Sequence, residues 1–291
     1  MKLWVKFNLI LLPVCSMGLI VTGLVSYRVL QENAREEVLQ NARIMMESAQ
    51  AAMDYTVAEV RPLLMADVKR QFRPQAISFY AARRSFELLR AHQPEYTYRV
   101  ASLNPTNPSN RAFDWEADII REFRNNADRK QIIAERDSPA GRALSLFQPV
   151  TVHDQGCLLC HDRPQDAPKS LVEAYGATNG FGFKLNETVA AHVVSVPMAV
   201  PLQRAHETFV SLMAMLVGIF VILFVSLNLL LHFAIVRPVA RMSRLATDVS
   251  LGRPDMPELT VSGSDEIAAL SASFNRMRRS FEGALKMLPK N

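Results

Sequence analysis

Two stretches of the chain carry no charged residue, Phe7 to Tyr27 and Thr208 to Val236. About 20 apolar residues rising 1.5 Å each cross a hydrocarbon core roughly 30 Å thick. Both stretches therefore predict transmembrane helices. The first is longer than the apolar core of a cleaved signal peptide, usually about 7–15 residues, and no small-x-small site closes it. It is expected to stay in place as a membrane helix.

Between the two spans the periodicity changes several times. From Arg28 to about Ala66, Val38, Ala42, Met45, Ala49 and Met53 recur at helical spacing, with no Gly and with Pro62 as the sole Pro, so the first membrane helix is expected to continue outward. A second helix over 75–91 carries Phe79, Ala82, Phe86 and Leu89 on one face. The period then becomes two: residues 96–103, YTYRVASL, predict a strand, which NPTNP at 104–108 stops. Residues 114–126 form an amphipathic helical pattern, and 142–150 and 192–198 predict two more strands. GATNGFG at 176–182 is a glycine-bearing turn, without the Lys-Ser/Thr of a phosphate loop.

After the second span Pro238 starts a helix in which Val239, Met242, Ala246 and Val249 step by 3, 4 and 3. A connector with Gly252, Pro254 and Pro257 follows. Ile267, Leu270, Phe274, Met277, Phe281 and Ala284 then continue a heptad seam. The expected architecture is an α+β domain with a long N-terminal helix, two transmembrane helices and a C-terminal helical coiled coil. The expected divisions are 1–27, 28–207, 208–236 and 237–291.

Charge adds orientation to this picture. Lys2 and Lys6 precede the first span, and Arg237, Arg241 and Arg244 follow the second. Short Lys/Arg-rich flanks mark the cytoplasmic side, and long loops translocate largely regardless of their own charge. Both termini are expected in the cytoplasm and residues 28–207 outside. The formal net charge of +5 is spread along the 291 residues. Residues 237–291 carry nine Lys and Arg against six Asp and Glu, ordinary for a segment beside an anionic bilayer. No basic block with interleaved aromatics points to nucleic acid. No nucleophile triad, paired-carboxylate motif or phosphate loop points to an enzyme.

Three cysteines carry the candidate chemistry. Cys15, inside the first span, suits packing as a small hydrophobe. Cys157, Cys160 and His161 form C-x-x-C-H, the attachment pattern of c-type haem. Two thiols three residues apart on one helical turn reach both haem vinyl groups, and the next residue projects its imidazole toward the iron. A zinc site could use the same three residues with His153, but two of those ligands are adjacent in sequence. A redox dithiol needs no following histidine. A disulfide within the pair would be strained. Covalent haem also agrees with the outside location inferred from charge. His161 is then the proximal iron ligand. Met53 is the first choice for the distal position, in competition with a plain packing role. Tyr55, His92, His153 and His192 are alternatives, and a vacant position would suit a gas such as NO, CO or O2. Arg61, Arg73 and Arg99 are candidates to pair with haem propionates, against the competing role of solvated surface arginines.

The blocks PEYTYRVASLNPTNPSNRAFDWEADIIREFRNN, CLLCHDRPQDAP, YGATNGFGFKLNE and VVSVPMAVPL, in that order, resemble the extracytoplasmic c-type haem sensor domains with a PAS-like core. The resemblance covers roughly residues 30–205. It implies a sensory module with one haem c, attached at Cys157, Cys160 and His161. The layout after the second span is similar to a HAMP linker, with Pro238, Gly252, Asp265 and Glu266 at matching positions. Two chains would close a parallel four-helix bundle, so a homodimer in the bacterial inner membrane is expected. The function these features imply is a haem sensor that relays redox or ligand state across the bilayer. The sequence shows no kinase, cyclase or methyl-accepting region, so the expectation is either that a cytoplasmic partner supplies the output or that the chain is shorter than an ancestral receptor. The rival readings are a membrane-anchored monohaem cytochrome serving a periplasmic redox partner, and a structural subunit with a vestigial haem.

Overall fold

The computed structural model describes residues 3–65, 72–138, 141–251, 257–260 and 263–287. Ala66, Gly252 and Pro254, used above to mark a helix end and the connector, lie outside them. The chain divides into two compact units, Tyr27–Thr208 and the pair of segments Met1–Ser26 and Phe209–Asn291.

Helix α1 runs from Leu3 to Tyr55 and passes through a π-helical turn, Thr56–Val60, into the short α2, Arg61–Met65. The extra residue in a π turn leaves the regular ladder short of partners. Here Thr56 is buried and its hydroxyl donates to the Ala52 carbonyl at 2.7 Å. Pro62, which has no N–H to donate, directly follows that π turn. Helix α3 spans Ser78–Leu89, later than expected because Pro74–Ala76 forms a separate 3-10 turn.

The sheet follows. Its strands are β1, Thr97–Ser102; then, after helix α4 at Asp114–Asn125, β2, Ile132–Ser138, and β3, Gly141–Thr151. Two seven-residue helices, α5 at Gln155–His161 and α6 at Lys169–Tyr175, precede β4 at Thr188–Pro197. The order is β1-β4-β3-β2, antiparallel throughout. Side chains alternate across a strand, and the two faces have separate cores. One face packs Tyr98, Val100, Leu144, Leu146, Val194 and Val196 with Val38, Ala42, Met46, Ala49 and Met53 of α1 and with Phe86 of α3. The other packs Ala101, Phe147, Ala191 and Val193 with Ile120 and Phe123 of α4. Helix α4 is started by Glu116, whose carboxylate accepts from the Phe113 backbone N–H at 2.8 Å.

In the other unit, α7 spans Ala199–Leu230 and passes through a π-helical stretch, Leu231–Val236, into α8, Arg237–Ser250; α9 spans Glu266–Met287. Two helical runs, Leu3–Leu64 and Ala199–Ser250, are long and apolar enough to cross a membrane. Their most apolar windows bury nothing against protein, which suits a hydrocarbon surround. One polar pair joins them: Asn8 Nδ2 donates to Asn228 Oδ1 at 2.8 Å. The α8–α9 hairpin packs Met242, Leu245 and Leu259 against Ile267 and Phe274. Asp265 caps α9 by accepting from the Ala268 N–H at 2.8 Å. Asn275 grips the connector through two bonds, accepting from Leu259 N–H at 3.1 Å and donating to Leu259 O at 2.8 Å.

The heptad stripe is therefore divided. Ala268, Ser271, Asn275 and Arg278 form the buried side of α9, while Leu270 is 52% and Met277 61% exposed. Leu245, absent from the expected stripe, supplies the inward contact of α8 with Met242.

Candidate functional site

The C-x-x-C-H residues lie on α5. Its first turn is held by Asp154, whose side chain accepts from Gly156 N–H at 2.9 Å. Arg61 Nη1 lies 3.9 Å from the Asp154 carboxylate, which puts α2 beside the start of α5. Gly156 suits this crowding, since a Cβ there would meet Asp154 Oδ2 at 2.9 Å and Arg61 Nη2 at 3.0 Å. One turn of helix presents Cys157 and Cys160 together. Both are half-buried free thiols. Burial raises the Cys160 thiol above its ordinary range, with Arg61 opposing and Cys157 adding to the shift. An activated redox dithiol needs the opposite shift. Among the described residues no three His, Cys, Asp or Glu gather as a metal-ion cage, and His153 is exposed. The zinc set considered above is not assembled.

His161 closes α5. Its Nδ1 lies 2.7 Å from the Gly180 carbonyl, so that nitrogen carries the proton and donates. Nε2 keeps its lone pair. Burial lowers the imidazole pKa, with the bond to Gly180 opposing, which favours the neutral ring a metal ligand requires. The ring stacks on Phe183 at 5.0 Å between centroids and 17° between planes. The chain returns here through 176–187: Phe183 N–H donates to His161 O at 3.2 Å and Gly182 N–H to Asp162 O at 2.8 Å. Gly180 has φ +83°, and a Cβ on it would meet the Thr106 side chain and lie 2.8 Å from its Cα. Only glycine suits that position.

Cys160 and His161 open onto a cleft of about 200 Å³. Its apolar walls include Phe72, Ile77, Phe79, Tyr80, Val100, Leu171, Tyr175 and Phe183. Arg83 is the cation in the described lining. It is half-buried, within 5.8 Å of the Tyr80 ring centroid and 3.6 Å from Glu87. A flat, largely apolar group with a negative edge, held by two thiols and a neutral imidazole, matches this set of residues. The donor chemistry fits a covalently attached haem.

The remaining expected residues fall in different places. Met53 is 4% exposed and belongs to the core that Cys157, Leu158 and Phe183 pack against. It does not line the cleft. Tyr55, His92 and His153 are exposed. His192 is buried, its Nδ1 2.8 Å from the Tyr98 hydroxyl and its ring 5.3 Å from Phe79, a cleft residue. Burial lowers its pKa to about 4 and raises that of Tyr98. Arg73 is exposed, between the lining residues Phe72 and Pro74. Arg99 is on the other face of the sheet. Its Nη1 lies 3.2 Å from both oxygens of Glu116, and its Nη2 donates to Arg111 O at 2.7 Å. Strand alternation decides this: Tyr98 and Val100 point toward the cleft side and Arg99 away. Arg83, Asn104 and Gly180 were missed. The NPTNP and GATNGFG segments were legible as turns, but nothing in either shows that the two meet at His161.

Two family descriptions match the chain. Residues 31–197 match the Tll0287-like family, and residues 230–283 match the HAMP domain. The first match spans more than half of the 291 residues, and the chain belongs to the Tll0287-like family. A solved structure, that of the cyanobacterial haem protein Tll0287, is 15% identical in sequence; the match covers 55% of this chain and 95% of that one, with a TM-score of 0.44. No curated protein matches.

Proposed function

We propose that residues 28–207 hold one haem c, covalently attached at Cys157 and Cys160 with His161 as proximal ligand, and that the chain is a membrane-bound sensor. The observation that carries this is His161: its Nδ1–H is committed to the Gly180 carbonyl, 2.7 Å away, beside two free thiols and an apolar cleft. Bound haem supplies an iron whose oxidation state and axial ligand respond to the surroundings. The rest is done by the chain. Arg83 is placed to balance propionate charge, and Arg61 steadies the start of α5 through Asp154. Met53 is the proposed distal ligand; reaching an iron in the cleft would require its helix face to give way, so an open sixth position is the alternative state.

The sensor domain is periplasmic and both termini are cytoplasmic, as supported by Lys2 and Lys6 before the first span and Arg237, Arg241 and Arg244 after the second. The HAMP helices act as a homodimer, supported by the apolar residues that one chain leaves uncovered on α9. HAMP domains generally dimerise and relay to output domains, so the role is signalling and not catalysis, with a cytoplasmic partner as recipient. The test is cross-linking of a Leu270→Cys variant in membranes by a bismaleimide, which joins two thiols without a redox step, with the protein oxidised, reduced and CO-treated. The expected result is a change in cross-linking rate between states, and a constant rate would sink the sensor reading. Loss of residues 237–291 with no change in phenotype would favour the periplasmic electron carrier instead.

A further inference from the structure

Two loops 76 residues apart meet behind His161. Asn104, the first residue of NPTNP, accepts from Gly180 N–H at 3.2 Å through Oδ1 and donates to Phe181 O at 3.3 Å through Nδ2. One amide thus pins the peptide groups on both sides of the Gly180–Phe181 step. The Gly180 carbonyl that this clamp holds is the acceptor for His161 Nδ1–H. Thr106, two residues along the same loop, lies 3.5 Å from the same Nδ1 and packs directly on Gly180. Gly180 itself has φ +83°, a conformation with little side-chain packing of its own to hold it. The orientation of its carbonyl is therefore set from outside, by Asn104.

We infer that Asn104 is a positioning residue for the proximal ligand: through Gly180 it holds the acceptor that keeps His161 in the Nδ1–H tautomer and makes the imidazole a stronger donor to iron. The inference rests on the haem reading above. A hydrogen bond from the outer nitrogen of a ligating histidine raises its basicity, and removing such a partner commonly costs about 10–100-fold in metal affinity or activity. A stronger imidazole donor favours the ferric state over the ferrous one. Losing the clamp should shift the equilibrium toward ferrous iron.

The experiment compares full-length wild type with Asn104→Ala and Asn104→Ser in detergent, by haem staining of the denatured protein and by redox titration. Haem-stained wild type supports the parent reading, and wild type without covalent haem overturns that reading whatever the variants do. With haem present, Asn104→Ala should favour ferrous iron about tenfold, a midpoint rise of about 59 mV for a one-electron couple. Asn104→Ser, which keeps one oxygen near Gly180 N–H, should fall between alanine and wild type. A purely structural role would lower stability and leave the potential in place. An unchanged potential in Asn104→Ala overturns the inference. If that variant does not accumulate, an unchanged potential in Asn104→Ser overturns it.

Discussion

Gly180, His192 and Glu116 each sit in surroundings that tie stability to a single neighbour or to burial. At Gly180, Ala would be forced to φ +83° and into Thr106. A strained backbone position of this kind costs about 1–3 kcal/mol. Gly180→Ala should lower the melting temperature of the full-length protein and reduce covalent haem. His192 is held near pKa 4 by burial, against 6.5 when unfolded. Between those values the unfolded chain takes up a proton that the native one refuses. The contribution of neutral His192 is fully present above about 6.5 and is lost as pH falls toward 4, by up to about 3 kcal/mol. Urea midpoints across that range should fall with acidity, and the slope should flatten in His192→Gln. Glu116 is 2% exposed, and burial raises its pKa against the Phe113 N–H and Arg99. Arg99→Ala would leave that carboxylate unpaired, at about 2–4 kcal/mol once the partial exposure of Arg99 is allowed for. The visible spectrum and midpoint potential should stay as in wild type, because Arg99 lies across the sheet from the cleft. A shifted potential would restore a propionate role for Arg99.

The elements differ in how much of their conformation is encoded in their own residues. Strand β1 and helix α4 nearly coincide with their expected spans, 97–102 against 96–103 and 114–125 against 114–126. Both have one clean apolar face, and periodicity reports just that. Strand β2 was missed because its sequence, IIAERDS, puts three charges in seven residues. It is an edge strand whose backbone pairs with β3 from Ile132↔Phe147 to Ser138↔Gly141, so its conformation comes from its neighbour. The HAMP connector teaches the same lesson: Asn275, a polar position beside the seam, is what ties α9 to Leu259. Asn275→Ala removes both bonds and exposes no new partner to the buried Leu259 backbone. It should destabilise the hairpin by about 1–3 kcal/mol, seen as faster amide exchange in α9.

Two apolar helices and a HAMP domain fit an inner-membrane protein, with a Tll0287-like domain between the two helices in sequence. Leu270, Met277 and Phe281 are each more than half exposed on one chain, a stripe that water would penalise. Changing Leu270 and Met277 together to Glu should convert a dimer to a monomer in detergent, checked by light scattering. Haem content should be unchanged, since Cys157, Cys160 and His161 belong to the other unit. A dimer that persists would place the contact between chains elsewhere.

Short-range chemistry was legible along the chain: two candidate spans from uncharged length, helix and strand from apolar period, and a candidate anchor from thiols three residues apart. Hydrophobic length and thiol spacing need no knowledge of distant residues. Tertiary structure decided the rest. It set the proton on His161 through Gly180, put Arg83 in the cleft and Arg99 behind the sheet, and buried Met53 in the helix core. It also showed which half of the HAMP stripe a single chain leaves open. Each of these depends on which atoms meet across tens of residues, and neither composition nor periodicity carries that information.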